Sequence, residues 1–141
     1  MDIHSIKKYY SEVDKIIHFG GSKKETSIRN AFYVLINEYA RQKDLMLVPE
    51  VTIRTKEGKN VTPDGTLKDM LRQDWGYWES KDESLVLDNE IRKKFAKGYP
   101  KDNILFEDSQ QAVLIQDGAE VMRIAMKDMQ ALDRILKAFV N

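Results

Sequence analysis

The sequence contains no cysteine. That excludes disulfides, thiolate nucleophiles and cysteine-ligated zinc, and it fits a reducing, cytoplasmic setting. Histidine is nearly as scarce. His4 and His18 stand far from the acidic motif described below, which argues against a histidine-built metal site. Neither sign of charge is in excess: 23 basic residues balance 23 acidic ones. A protein that grips DNA unaided usually carries a basic surplus, so a DNA substrate here would have to be delivered by something else. No apolar run approaches the ~18 residues of a membrane span. The opening MDIHSIKKYY has no apolar signal core, so neither membrane insertion nor secretion is expected. Three prolines and seven glycines leave little room for an internal linker. What is present is 141 residues, 42% hydrophobic and 33% charged, the balance of a single compact domain spanning residues 1–141.

Hydrophobic periodicity orders the chain. Ile6, Tyr9, Tyr10, Val13, Ile16 and Ile17 form a helical stripe over Ser5–Phe19, with Ser5 as the expected N-cap. Gly20 and Gly21 end it, and a second helix runs from about Glu25 to Lys43. Pro49–Gly65 reads as a β-hairpin around the polar turn Lys56–Asn60, which places Asp64 at the end of the returning strand. Leu67–Gln73 reads as a helical or looped crossing, and Asp74–Lys81 as an aromatic-rich strand. Asp88–Lys97 is a helix capped by Asp88 or Asn89 and stopped by Gly98. Asn103–Phe106 is a short strand. Asp117-Gly118 joins two further strands in the clearest hairpin signal of the chain. Asp128–Phe139 closes as a helix. The expected class is α/β (α+β), a mixed central β-sheet flanked by helices.

The chemistry concentrates between Thr62 and Asp82. Asp64 and Glu79, on neighbouring strands, offer two hard oxygen ligands for Mg2+, and the Ser80 carbonyl a third. Alternation along the strand puts Glu79 and Lys81 on one face. Lys81 is thus placed to orient or deprotonate a water, or to offset charge on a phosphate. Amides would not supply the anionic charge that holds the metal, and arginine is a poor proton acceptor. A similar acidic-x-Lys element, Glu57-Gly58-Lys59, follows Asp44 but reads as a turn and is rejected. Glu25 has two open readings: a partner of the helix dipole, or a third acid facing the site.

Pro63-Asp64 with Glu79-Ser80-Lys81 resembles the PD-(D/E)XK nuclease motif. The surrounding segments, WGYWESKD and NILFEDSQQAVLIQDG, resemble the amino-terminal nuclease domain of type ISP and type IIG single-chain restriction-modification enzymes. The likeness extends over nearly the whole chain. It implies a restriction-endonuclease-like core and a DNA endonuclease that uses Mg2+, with Mn2+ as substitute. By this resemblance Asp64 and Glu79 match the metal-binding acids, Lys81 the catalytic lysine, and Glu25 an acid on the first core helix. Gln110, Gln111 or Gln116 would match a glutamine that some relatives carry. It also implies partners on the same polypeptide: a helicase-like motor, a methyltransferase and a target-recognition domain. Their GxxxxGK[ST] and Asn/Asp-Pro-Pro-Tyr motifs are missing here, so the chain is expected to be an excised domain or a stand-alone relative. The alternative is a non-catalytic module of the same fold that docks DNA or other domains.

Other features have plainer readings. Trp75, Tyr77 and Trp78 are placed in packing rather than base stacking. Lys7-Lys8, Lys23-Lys24 and Arg92-Lys93-Lys94 read as solvated helix faces rather than phosphate contacts. Glu107 and Asp108 read as a strand-end polar loop. Leu85-Val86-Leu87 either tucks the next helix against the sheet or forms a loop for a partner.

Overall fold

A computed structural model describes residues 3–21 and 24–141. In order, these form α1 (Ile3–Phe19), α2 (Lys24–Arg41), β1 (Met46–Pro49), β2 (Ile53–Arg54), β3 (Asn60–Val61) and β4 (Gly65–Lys68). Then follow β5 (Asp74–Ser80), α3 (Leu87–Ala96), β6 (Asn103–Glu107), β7 (Gln111–Gln116), β8 (Ala119–Ala125) and α4 (Met129–Val140). The six-stranded sheet has the order β1-β4-β5-β6-β7-β8. All its pairs are antiparallel except β5–β6. A parallel pair requires a crossover, and α3 supplies it. The result is the expected mixed α+β architecture, a restriction-endonuclease-like fold.

Alternation along the strands divides the core. Leu67, Trp78, Leu105 and Leu114 pack with α1, α2 and α4 on one face. Ile104, Phe106, Val113 and Ile115 pack with Leu87 and Ile91 of α3 and with Val61 of the β2–β3 ribbon on the other. Gly65 and Gly76 allow the closest approaches. A Cβ at Gly65 would lie 2.8 Å from Leu47 Cδ1 and 2.9 Å from Trp78 Cε3. The Asp117-Gly118 turn has both residues at positive φ, 52° and 81°, the primed turn a two-residue hairpin favours.

Several local expectations are corrected. Helix α1 begins at Ile3, so Ser5 lies inside it rather than capping it. The Pro49–Gly65 hairpin forms, but in two pieces of one register: Pro49 pairs with Gly65 where β1 meets β4, and Ile53 and Arg54 pair with Val61 and Asn60 in the β2–β3 ribbon, which is a sheet separate from the main one. Leu67–Gln73 is no crossing: Leu67 and Lys68 belong to β4, which turns at 69–73 directly into β5. Four residues buried almost throughout show no alternation, which hid this strand. Helix α3 is preceded by Val86, with no side-chain cap, rather than by Asp88 or Asn89. Its start is fixed instead by burial of Leu87, while Leu85 and Val86 stay exposed. Gly98, at φ 95°, ends α3 as expected.

Candidate active site

The site lies where β4 begins and β5 ends. Asp64 does not end a returning strand. It occupies the bend just ahead of β4, beside Glu79, because Gly65 pairs with Trp78. Two hydrogen bonds lock the pair. The Asp64 N–H donates to Glu79 Oε1 at 2.9 Å, and the Ser80 N–H donates to Asp64 Oδ2 at 2.8 Å. Glu79 is 2% exposed. Burial, and then the Asp64 charge, push its carboxyl up; Lys94 and Lys81 pull it back. Among the described residues no three His, Cys, Asp or Glu side chains group to hold a metal. Two carboxylates are nevertheless what magnesium commonly takes from a protein, with waters and phosphate oxygens completing its shell.

The cation side of Glu79 is occupied by lysines. Its Oε2 lies 3.2 Å from Lys94 Nζ and 3.5 Å from Lys81 Nζ. Lys81 also reaches Glu90 of α3 at 4.0 Å, and its own N–H donates to the Glu107 carbonyl at 2.8 Å. Burial lowers the pKa of the Lys81 ammonium; Glu79 opposes this and Lys94 reinforces it. Lys94 goes the other way. Burial disfavours its charge, but Glu79 and the Tyr99 hydroxyl outweigh that and hold its pKa above the usual lysine value. Thr66, two residues on from Asp64 in β4, carries a buried hydroxyl with no hydrogen-bond partner, the one such side-chain atom among the described residues.

Glu25 reaches a different part of this region. It sits exposed in the first turn of α2 and lines a small pocket of about 120 Å³ with Ser80, Lys81, Asp82, Glu107 and Ser109. That pocket opens on the α1–α2 side of the sheet, whereas Glu79 faces α3, since it alternates with Trp78. Glu25 therefore shares Lys81 with the Asp64–Glu79 pair but adjoins Asp82 rather than either acid. Glu107 is more than a polar loop residue. It is buried, and burial raises its carboxyl to about 7, even though the Ser80 hydroxyl, the Ser109 N–H and the Trp78 indole all donate to it. Asp108 caps the following turn by accepting from the N–H groups of Gln110 and Gln111.

The three glutamines separate. Gln110 donates to Glu83 at 2.8 Å, near the pocket. Gln111 accepts from Arg123. Gln116 bonds Asn103 and the Ala138 carbonyl at the far end of β7. Trp78 is core, Tyr77 packs under α3, and Trp75 is 53% exposed, so packing does not explain it. His4 and His18 are exposed. Lys23 lies outside the described residues. Lys94 is the residue that sequence reasoning missed. It was grouped with a solvated run, yet it falls seven residues after Leu87 and three after Ile91, on the inward stripe of α3.

No protein-family model matches the chain, and comparison with curated proteins finds no match. Comparison with solved structures does find a likeness. Among the matches is a chain of a DrdV–DNA complex solved by electron cryomicroscopy. It shares 50% sequence identity over 99% of the present chain, with a TM-score of 0.94. The present chain spans only 14% of that chain's length.

Proposed function

We propose that this chain is a Mg2+-dependent endodeoxyribonuclease domain, of the PD-(D/E)XK type, from a restriction-modification polypeptide. The observation that carries the reading is the Asp64–Glu79 pair, two adjoining carboxylates, one nearly buried, with Lys81 against the second. The likeness to a chain from a DNA complex supports DNA as the substrate. Asp64 and Glu79 hold the metal. The Ser80 carbonyl, which in an extended strand projects from the same edge as its N–H, faces Asp64 and adds a third oxygen. The donor set fits the cation, since two adjoining carboxylates, one of them nearly buried, supply hard anionic oxygens of the kind magnesium prefers. When bound, magnesium supplies polarisation of the phosphodiester and activation of a water. Mn2+ would substitute.

Lys81 acts from the side of Glu79. The burial that lowers its pKa leaves more of it as the neutral amine, the form able to accept a proton, than in an exposed lysine. It takes up the proton of the attacking water, or holds that water in line with the scissile phosphate. Glu25 shapes the approach to Lys81 from the α2 side rather than binding the same cation. The balanced charge of the chain gives weak unaided DNA affinity, consistent with delivery by motor and recognition modules elsewhere on a longer polypeptide.

Plasmid nicking in Mg2+ tests the reading, both with this chain and with the polypeptide that carries it. Asp64→Ala and Lys81→Met should each reduce cleavage by about a hundredfold or more. Undiminished cleavage by Asp64→Ala would sink the site assignment. The Glu79–lysine pairing also suits an inert docking module of the same fold. That reading predicts no metal-dependent cleavage in either context.

A further inference from the structure

Lys94 belongs to no part of the proposed machinery, yet it is the lysine nearer to Glu79. Its Nζ lies 3.2 Å from Glu79 Oε2 and 3.3 Å from the Tyr99 hydroxyl, and 4.9 Å from the centre of the Tyr99 ring. Tyr99 is itself fixed, since its hydroxyl donates to the Thr62 carbonyl at 3.3 Å. The Lys94 side chain is only 16% exposed. Most surface lysines swing freely. This one is tethered by a helix that packs through Leu87 and Ile91, by a ring and by a hydroxyl, and it is aimed at one carboxylate oxygen. That oxygen is one the metal would need.

We propose that Lys94 is a built-in competitor for the metal, a positioning residue that holds Glu79 until a divalent cation displaces its ammonium. The inference rests on the reading of Asp64 and Glu79 as metal ligands. In the metal-free protein Lys94 keeps the nearly buried Glu79 paired and correctly placed for its bond with the Asp64 N–H. The same ammonium repels an incoming dication, so metal affinity without DNA is low. A DNA phosphate at the site offers the displaced ammonium a new partner. Metal and DNA then favour each other's binding, as any shared displacement requires.

The test is Mn2+ titration of the 141-residue chain by calorimetry, for wild type, Lys94→Met, Lys94→Arg and Asp64→Ala, and for Asp64→Ala combined with Lys94→Met. Thermal melting confirms that each variant is folded. Methionine keeps much of the apolar stem and removes the charge. A dication and an ammonium ~5 Å apart repel enough, even at the dielectric of water, to alter affinity by about tenfold. Lys94→Met should therefore bind Mn2+ about tenfold more tightly than wild type, and Lys94→Arg should stay close to wild type. Asp64→Ala should abolish binding in both backgrounds. Equal or weaker binding by Lys94→Met, with Asp64→Ala still abolishing it, would overturn the competitor role and leave the metal site standing. Binding indifferent to Asp64→Ala, or absent throughout, would remove the metal site and the competitor role together.

Discussion

Glu107 offers the sharpest quantitative test of the packing beneath the site. Its carboxyl is 2% exposed at the end of β6, and burial raises it from an ordinary 4.5 to about 7. The folded protein therefore holds a proton that the unfolded chain releases over the window between those values. Because the folded state binds more protons there, stability falls as pH rises through the window and stays lowered above it. The full difference corresponds to about 3 kcal/mol. Glu107→Gln keeps the shape and cannot ionise, so the substitution removes this loss. Urea denaturation of both proteins at pH 5 and pH 8 measures it. The stability advantage of Glu107→Gln over wild type should grow by about 2 to 3 kcal/mol between the two pH values. An offset that stays constant across that range would refute the argument, because loss or gain of a hydrogen bond to Trp78 or Ser109 carries no such pH dependence.

Two further substitutions probe the frame that aligns the acids. Gly65→Ala pushes a methyl against Leu47 and Trp78, overpacking that should cost about 1 to 3 kcal/mol in urea denaturation. Because Gly65 follows Asp64 directly, the same variant should lose cleavage at temperatures where it is still folded. Asp128→Ala removes the side chain that accepts from the Ala131 N–H at the start of α4. It should lower stability by about 1 kcal/mol without altering cleavage, since α4 lies on the face opposite Glu79.

Strong local signals in the sequence specified most of the elements. The Asp-Gly turn, the long apolar stripe of α4 and the aromatic run of β5 each carry a period or a turn chemistry that only one structure satisfies. Strand β4 carried neither. It is an interior strand with three of its four residues buried, so alternation is absent and Leu67 reads equally well as helix. The start of α3 was misplaced for a related reason: tertiary burial of Leu87 sets it, and the polar Asp88 and Asn89 only look like caps. The nearness of Asp64, Glu79 and Lys81 was legible because a motif groups them and strand alternation aligns two of them. Which face Glu25 serves depends on how α2 crosses the sheet, which no local pattern encodes. Lys94 was legible in principle from the helical period of α3, but its charge and its neighbours Arg92 and Lys93 outvoted the period.

The central claim is that Asp64 and Glu79 jointly hold one divalent cation. Anomalous diffraction from crystals of this chain soaked in Mn2+ tests it most directly. The account predicts a single strong peak about 2.0–2.2 Å from a carboxylate oxygen of each acid, with the Ser80 carbonyl as a further ligand and Lys94 withdrawn from Glu79. A well-occupied peak elsewhere, for instance between Glu25 and Asp82, with the Glu79–Lys94 ion pair intact, would contradict it.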